Sequence, residues 1–157
     1  MAKKQEDEGK KIITKNRKAF FDYEIIEQIE AGIVLTGSEV KSLRDGKVVL
    51  DEAYARIDNG EARILGVSIP TYKNAGYAQH VPDRTRRLLL HRREIRRLEE
   101  VTETERLTVV PLELYWKRGF CKVLLGTAKG KKNYDKREAL KKDQDKRSIQ
   151  RALRGRD

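Results

Sequence analysis

Residues 107–126, LTVVPLELYWKRGFCKVLLG, read as an antiparallel hairpin. Two apolar runs, Leu107–Trp116 and Phe120–Leu125, flank Lys117-Arg118-Gly119, whose length and glycine suit a tight reversal. Pro111 removes a backbone donor, so an edge or a bulge is expected in the first run. Upstream, Ala53–Ile57 and Glu61–Ile69 flank Asp58-Asn59-Gly60, residue types that tolerate the positive φ angles of the shortest hairpin turns. Nothing in the chain supports a parallel α/β sheet. The expected class is mainly β: an OB-like antiparallel barrel of about six strands with two or three short helices and a basic C-terminal tail.

Working outward from the hairpins, Phe21, Tyr23, Ile25 and Ile29 alternate and predict a strand from Phe21. Ala31-Gly32 permits a tight turn into a second strand at Ile33–Leu35. Ser38 is a candidate cap for a short helix that Gly46 would end. Residues 70–83 read as a loop, with Tyr72 and Tyr77 as exposed rings near its tip, and Arg86–His91 as a strand. Ile95, Leu98 and Val101 fall on one helical face within 92–103. Residues 1–15 are polar and expected to be a disordered basic arm, 16–128 the barrel, and 129–157 a tail that is disordered alone and helical on its partner.

Charge divides the chain the same way. Residues 1–18 carry seven Lys/Arg against three Asp/Glu, and residues 129–157 carry twelve against five. Residues 19–128 carry seventeen of each, so the net charge of +11 lies in the two ends. A neutral body with basic arms fits a polyanionic partner, while solubilising tails would have the same composition. In the tail, Lys131-Lys132, Lys136-Arg137, Lys141-Lys142 and Lys146-Arg147 recur every five residues, and Arg151 continues the series. Five residues advance a helix by about 140°, so these pairs spread around it as a channel lined by phosphates would require. Chance spacing in a Lys-rich segment would also produce this.

The catalytic reading finds little. Two histidines, His80 and His91, and one cysteine, Cys121, make no zinc-binding spacing, and no Walker or dinucleotide glycine loop is present. No enzyme activity, cofactor or metal is expected. A lone cysteine, no secretory signal and no apolar run of membrane-spanning length predict a cytoplasmic protein, taken to be a monomer.

Candidate binding residues are easier to place. Asn16-Arg17-Lys18 stands where the arm enters the body, and Arg84 and Arg86 alternate onto one face. Tyr115, Trp116, Lys117, Arg118 and Phe120 mix aromatic and basic groups, which can stack on bases or simply pack the barrel. Glu30 beside its turn is either solvated or an acceptor for a guanine edge or an arginine.

Five blocks in order carry a family resemblance: NRKAFFDY (16–23), EAGIVLTGSEVKSLRDGK (30–47), RTRRLLLHRREI (84–95), LYWKRGFCKVLLGTAKGKKNYDKR (114–137) and the basic tail. The sequence resembles the SsrA-binding protein (small protein B) family, partners of transfer-messenger RNA (tmRNA) in ribosome rescue. The resemblance implies an OB-like barrel without catalytic activity that binds the tRNA-like domain of tmRNA. Asn16, Glu30, Leu89 and Lys122 match family positions tied to that contact, and Gly130 matches the family's GKK segment. Leu89 is equally readable as a core leucine, since Leu88 and Leu90 flank it.

The resemblance further implies that the tail enters the empty mRNA channel and probes the vacant decoding centre of small-subunit ribosomal RNA. Lys131, Lys132, Tyr134, Asp135, Lys136 and Arg137 begin that segment; Lys141, Lys142, Lys146, Arg147, Arg151 and Leu153 continue it. Tyr134 and Phe21 stand where many members have histidine, which keeps a stacking ring but no imidazole. A structural ribosomal protein with a basic extension is the rival reading.

Overall fold

The computed structural model describes residues 9–71 and 80–130, with Arg137, Leu140, Lys141, Gln144, Lys146 and Arg147 of the tail. Tyr72 and Tyr77 lie outside the described residues. Among residues 9–71 and 80–130, seven strands run β1 (Lys10–Lys15), β2 (Tyr23–Ile33), β3 (Tyr54–Asp58), β4 (Glu61–Leu65), β5 (Arg86–Leu89), β6 (Thr108–Lys117) and β7 (Phe120–Gly130). In the same residues three helices, α1 (Arg17–Asp22), α2 (Gly37–Arg44) and α3 (Arg92–Glu103), interrupt them.

All strand pairs are antiparallel, in the order β1-β6-β3-β4-β5-β2-β7, and β7 returns to pair with β6. Six strands, β2 to β7, therefore close a near-barrel ring, as the hairpin pattern predicts. The thinnest seam is β3–β6, where Ala55 faces Val109 alone. Both hairpin turns use two central residues at positive φ: Asn59 and Gly60 at 49° and 75°, Arg118 and Gly119 at 52° and 80°. That geometry matches strand twist and pins register, setting Lys117 opposite Phe120 and Tyr115 opposite Lys122. Pro111 sits at the expected irregularity, where register shifts between Pro111 and Glu113.

Ile64, Leu88, Leu114 and Val123 fill the barrel, and Leu98 of α3 joins them, fully buried. Burying a leucine of this kind contributes about 1.5–3 kcal/mol. A smaller cluster, Ala19, Val110, Leu112 and Ala128, seats α1 against β6 and β7.

Several expectations fail locally. The arm is ordered from Lys10, because β1 pairs with β6 and Ile13 packs against the core. The strand expected from Phe21 starts at Tyr23: Asn16 Oδ1 accepts from the Ala19 amide at 3.1 Å and starts a six-residue helix instead. There is no turn at Ala31-Gly32, since β2 runs unbroken to Ile33. Thr36, not Ser38, caps α2; its hydroxyl takes the Glu39 amide while Glu39 takes the Thr36 amide at 2.8 Å. The Ser38 hydroxyl is instead 2.9 Å from His80 Nδ1. Finally, β7 runs on to Gly130, held by β2, two residues past the end expected for the barrel.

Candidate nucleic-acid interface

Register alone assembles a mixed surface on the outside of the barrel. Tyr115 of β6 faces Lys122 of β7, Lys122 faces Gly32 of β2, and Gly32 faces Leu89 of β5. A methyl group at Gly32 would lie 3.2 Å from Leu89 Cβ, so the missing side chain lets Leu89 lie over β2. Leu89 is 55% exposed, whereas Leu88 is buried. The sequence left Leu89 open between core and contact, and the backbone puts it outside.

Glu30 belongs to the same surface. Its Oε2 accepts from the Tyr115 hydroxyl and from Lys117 Nζ at 3.3 Å. Partial burial would raise its carboxyl, but those two hydrogen bonds and the charges of Lys117 and Lys122 outweigh it and hold the group below the usual carboxylate range. Lys10 Nζ stands 4.3 Å from the centre of the Tyr115 ring and 3.0 Å from a Glu113 oxygen. A shallow cleft of about 500 Å³ is lined by Glu30, Gly32, Leu89, Leu90, His91, Glu94 and Lys122. One ionised acceptor, a lysine and an apolar wall fit the mixed demands of a folded RNA: base-edge donors, phosphates and riboses. Tyr115 is buried as the packing reading expects, yet its hydroxyl orients Glu30. The hairpin register was the signal that would have found this role.

Other candidates are not on this surface. Asn16 is 1% exposed, and its amide donates to Leu50 O at 3.2 Å and Pro111 O at 2.8 Å, so it offers RNA no free donor. It positions α1, which carries the exposed Arg17 and Lys18, and Lys18 is ion-paired with Glu52.

Arg86 also departs from expectation, being completely buried. It bonds Glu39 and donates to Val67 O at 2.8 Å, Arg84 O at 2.9 Å and Pro82 O at 3.0 Å. Arg84, 35% exposed, reaches the other Glu39 oxygen at 2.7 Å. Burial tends to raise Glu39, but bonds from Arg84, the Thr36 amide and Arg86 prevail and keep it low. The two arginines are thus a tie between α2 and β5.

Gly130 is exposed at the end of β7, eight residues from Lys122, which at about 3.3 Å per residue is roughly 26 Å away. Arg137, Lys141, Lys146 and Arg147 lie in helical backbone and are exposed. Lys131, Lys132, Tyr134, Asp135, Lys136, Lys142, Arg151 and Leu153 lie outside the described residues. Cys121 is buried and its thiol is pushed up to about 12 by desolvation, which makes it a poor nucleophile. Among the described residues no helix is long and apolar enough to cross a membrane.

A nearly closed antiparallel barrel with an oriented carboxylate, lysines and an apolar patch on one outer face defines a small β-barrel protein of the nucleic-acid-binding class. Comparison gives the family. The model of the SmpB protein family matches residues 13–155. The SsrA-binding protein of Trichodesmium erythraeum is 54% identical over 155 residues, covering 98% of this chain and 99% of that protein. That of Lacticaseibacillus casei is 49% identical over 156 residues, with 99% of each chain covered. A chain solved in work called "tmRNA-SmpB: a journey to the center of the bacterial ribosome" is 47% identical, with a TM-score of 0.65 over 81% of this chain and 93% of that one. The chain belongs to the SmpB family, whose members are non-catalytic RNA-binding proteins.

Proposed function

We propose that this protein is a tmRNA-binding adaptor for trans-translation: the barrel holds the tRNA-like domain of tmRNA, and the tail probes the empty decoding centre and mRNA channel of the stalled ribosome. The observation that carries the first half is the convergence of Glu30, Leu89, Lys117 and Lys122 on one outer face. Likeness to proteins named for binding SsrA RNA supports the choice of partner. The second half rests on the +7 of residues 129–157 and on the distance between Gly130 and the cleft, which lets one chain serve two RNA surfaces. Barrel and bound RNA together take the place of a tRNA, and the tail takes the place of the codon–anticodon helix.

Truncation after Gly130 tests the division of labour. Because β7 ends there, residues 1–130 keep every strand of the ring. The truncated chain should bind the tRNA-like domain of tmRNA within about threefold of the full chain (~0.7 kcal/mol), against excess ordinary tRNA, while peptidyl transfer to tmRNA on stalled ribosomes disappears. Affinity that collapses with the tail, or that ordinary tRNA competes away, would mean a general basic RNA binder.

A further inference from the structure

Three arginines stand side by side on the outside of the barrel. Arg56 of β3 faces Arg63 of β4, and Arg63 faces Arg87 of β5, so they form one row across three adjacent strands. Arg56 and Arg63 keep 64% and 55% of their side chains exposed. Arg87 is exposed between the buried Arg86 and Leu88. Like charges directly opposite one another across a sheet repel, so such a row costs stability unless something offsets it. Within the chain the offset is partial. Asp58 lies 3.6 Å from Arg56 and Glu61 lies 3.0 Å from Arg63, while among the described residues Arg87 has no acidic partner.

The row is continuous with the cleft. Leu89 stands two residues beyond Arg87 on the same face of β5, and from Leu89 the register leads through Gly32 to Lys122. With strands about 4.8 Å apart, the path from Lys122 through Gly32, Leu89 and Arg63 to Arg56 crosses four strand spacings, roughly 20 Å measured along the curve of the ring.

We propose that Arg56, Arg63 and Arg87 form a phosphate-binding track that extends the cleft toward the β3–β4 hairpin and holds the sugar-phosphate backbone of the RNA seated there. The proposal rests on the reading that the cleft holds folded RNA. Guanidinium groups suit this task because each presents a planar pair of donors to phosphate oxygens. Backbone contacts of this kind fix orientation and register and leave sequence discrimination to other groups. The track therefore sets how the RNA lies across the barrel, and Glu30 and Leu89 set which RNA fits.

The test is a salt titration of the full chain and of an R56Q/R63Q/R87Q variant on the tRNA-like domain of tmRNA. Each phosphate contact adds about 0.7–0.9 to the slope of log affinity against log salt, so the variant should lose about 2 from the slope and its affinity deficit should shrink roughly 20-fold from 50 to 200 mM salt. An R56K/R63K/R87K variant should keep the slope. The glutamine variant relieves the repulsion along the row and gives up two exposed ion pairs, each of which contributes little, so its melting temperature should barely move. An unchanged slope in the glutamine variant overturns the track, and so does a lysine variant that loses the slope as well. Competition by ordinary tRNA against the unmodified chain tests the underlying reading separately: equal competition defeats the specific site whatever the slope shows.

Discussion

Glu39 and Glu30 both accept hydrogen bonds from cationic side chains, and both are held below the ordinary carboxylate value. Glu39 is completely buried with Arg86, whereas Glu30 keeps 37% of its side chain exposed beside Lys117. In the interior, Arg86 is spent on Glu39 and on the carbonyls of Val67, Arg84 and Pro82, so the charges lash α2 to β5, and the one donor of the cluster without a partner, Arg84 Nε, is itself buried. At the surface, Tyr115 and Lys117 occupy one carboxylate oxygen of Glu30, and Lys122 stands across from Gly32 with no side chain between. A Glu–Arg or Glu–Lys set thus becomes a site only where the backbone leaves part of its bonding capacity facing water.

The comparison breaks most visibly at Glu39. Glu39→Ala strands Arg86 in the core without a counter-charge, and removing one partner of a buried pair costs about 3–5 kcal/mol. Urea unfolding should show that loss, with RNA binding failing only as the chain unfolds. Acid separates charge from shape. Because the folded-state value of Glu39 lies below its ordinary 4.5, its contribution is fully present above the ordinary value and drains away as pH falls through the folded one. Glu39→Gln should therefore flatten the loss of stability on the acid side, and an acid limb as steep as that of the unmodified chain would refute the assignment.

At the surface the expected change is smaller and of the other kind. Lys122→Ala should weaken binding to the tRNA-like domain about tenfold (~1.4 kcal/mol) and reduce the salt slope by about 0.7–0.9. Lys122 is half-buried and, among the described residues, forms no buried ion pair, so stability should move by less than about 1 kcal/mol. A stability loss matching the affinity loss would make Lys122 another structural cation and erase the contrast with Arg86.

How far the sequence reveals this contrast depends on local redundancy. Both hairpins are legible because Asn59-Gly60 and Arg118-Gly119 supply the backbone angles such turns need, and α3 because its apolar spacing has one period. The six-residue α1 is too short to show a helical period, and β1 becomes a strand only because β6 offers it an edge. Arg86 and Leu89 are hidden by a sharper ambiguity. A strand tells inside from outside by alternation, and RTRRLLL puts arginine and leucine in both phases: Arg86 and Leu88 inward, Arg87 and Leu89 outward. A one-residue shift would exchange the pairs with almost no change in composition. The phase is set by groups distant in sequence, chiefly the Glu39 carboxylate waiting inside and the bare Gly32 waiting outside.

The outward phase of β5 has a small and direct consequence at Leu89. In its outward phase the side chain covers Gly32 and walls the cleft beside Lys122, so truncation to alanine should leave thermal stability within about 0.5 kcal/mol. RNA affinity should fall about fivefold (~1 kcal/mol), the scale of one or two buried methylenes. A core leucine would behave in the opposite sense, losing about 2–5 kcal/mol of stability while the folded fraction bound RNA normally. Leu88→Ala is the internal control, because its neighbouring side chain is buried in the barrel. If the pair gave equal stability losses, the β5 phase would be unassigned, and both the cleft and the arginine row that depends on the same alternation would have to be redrawn.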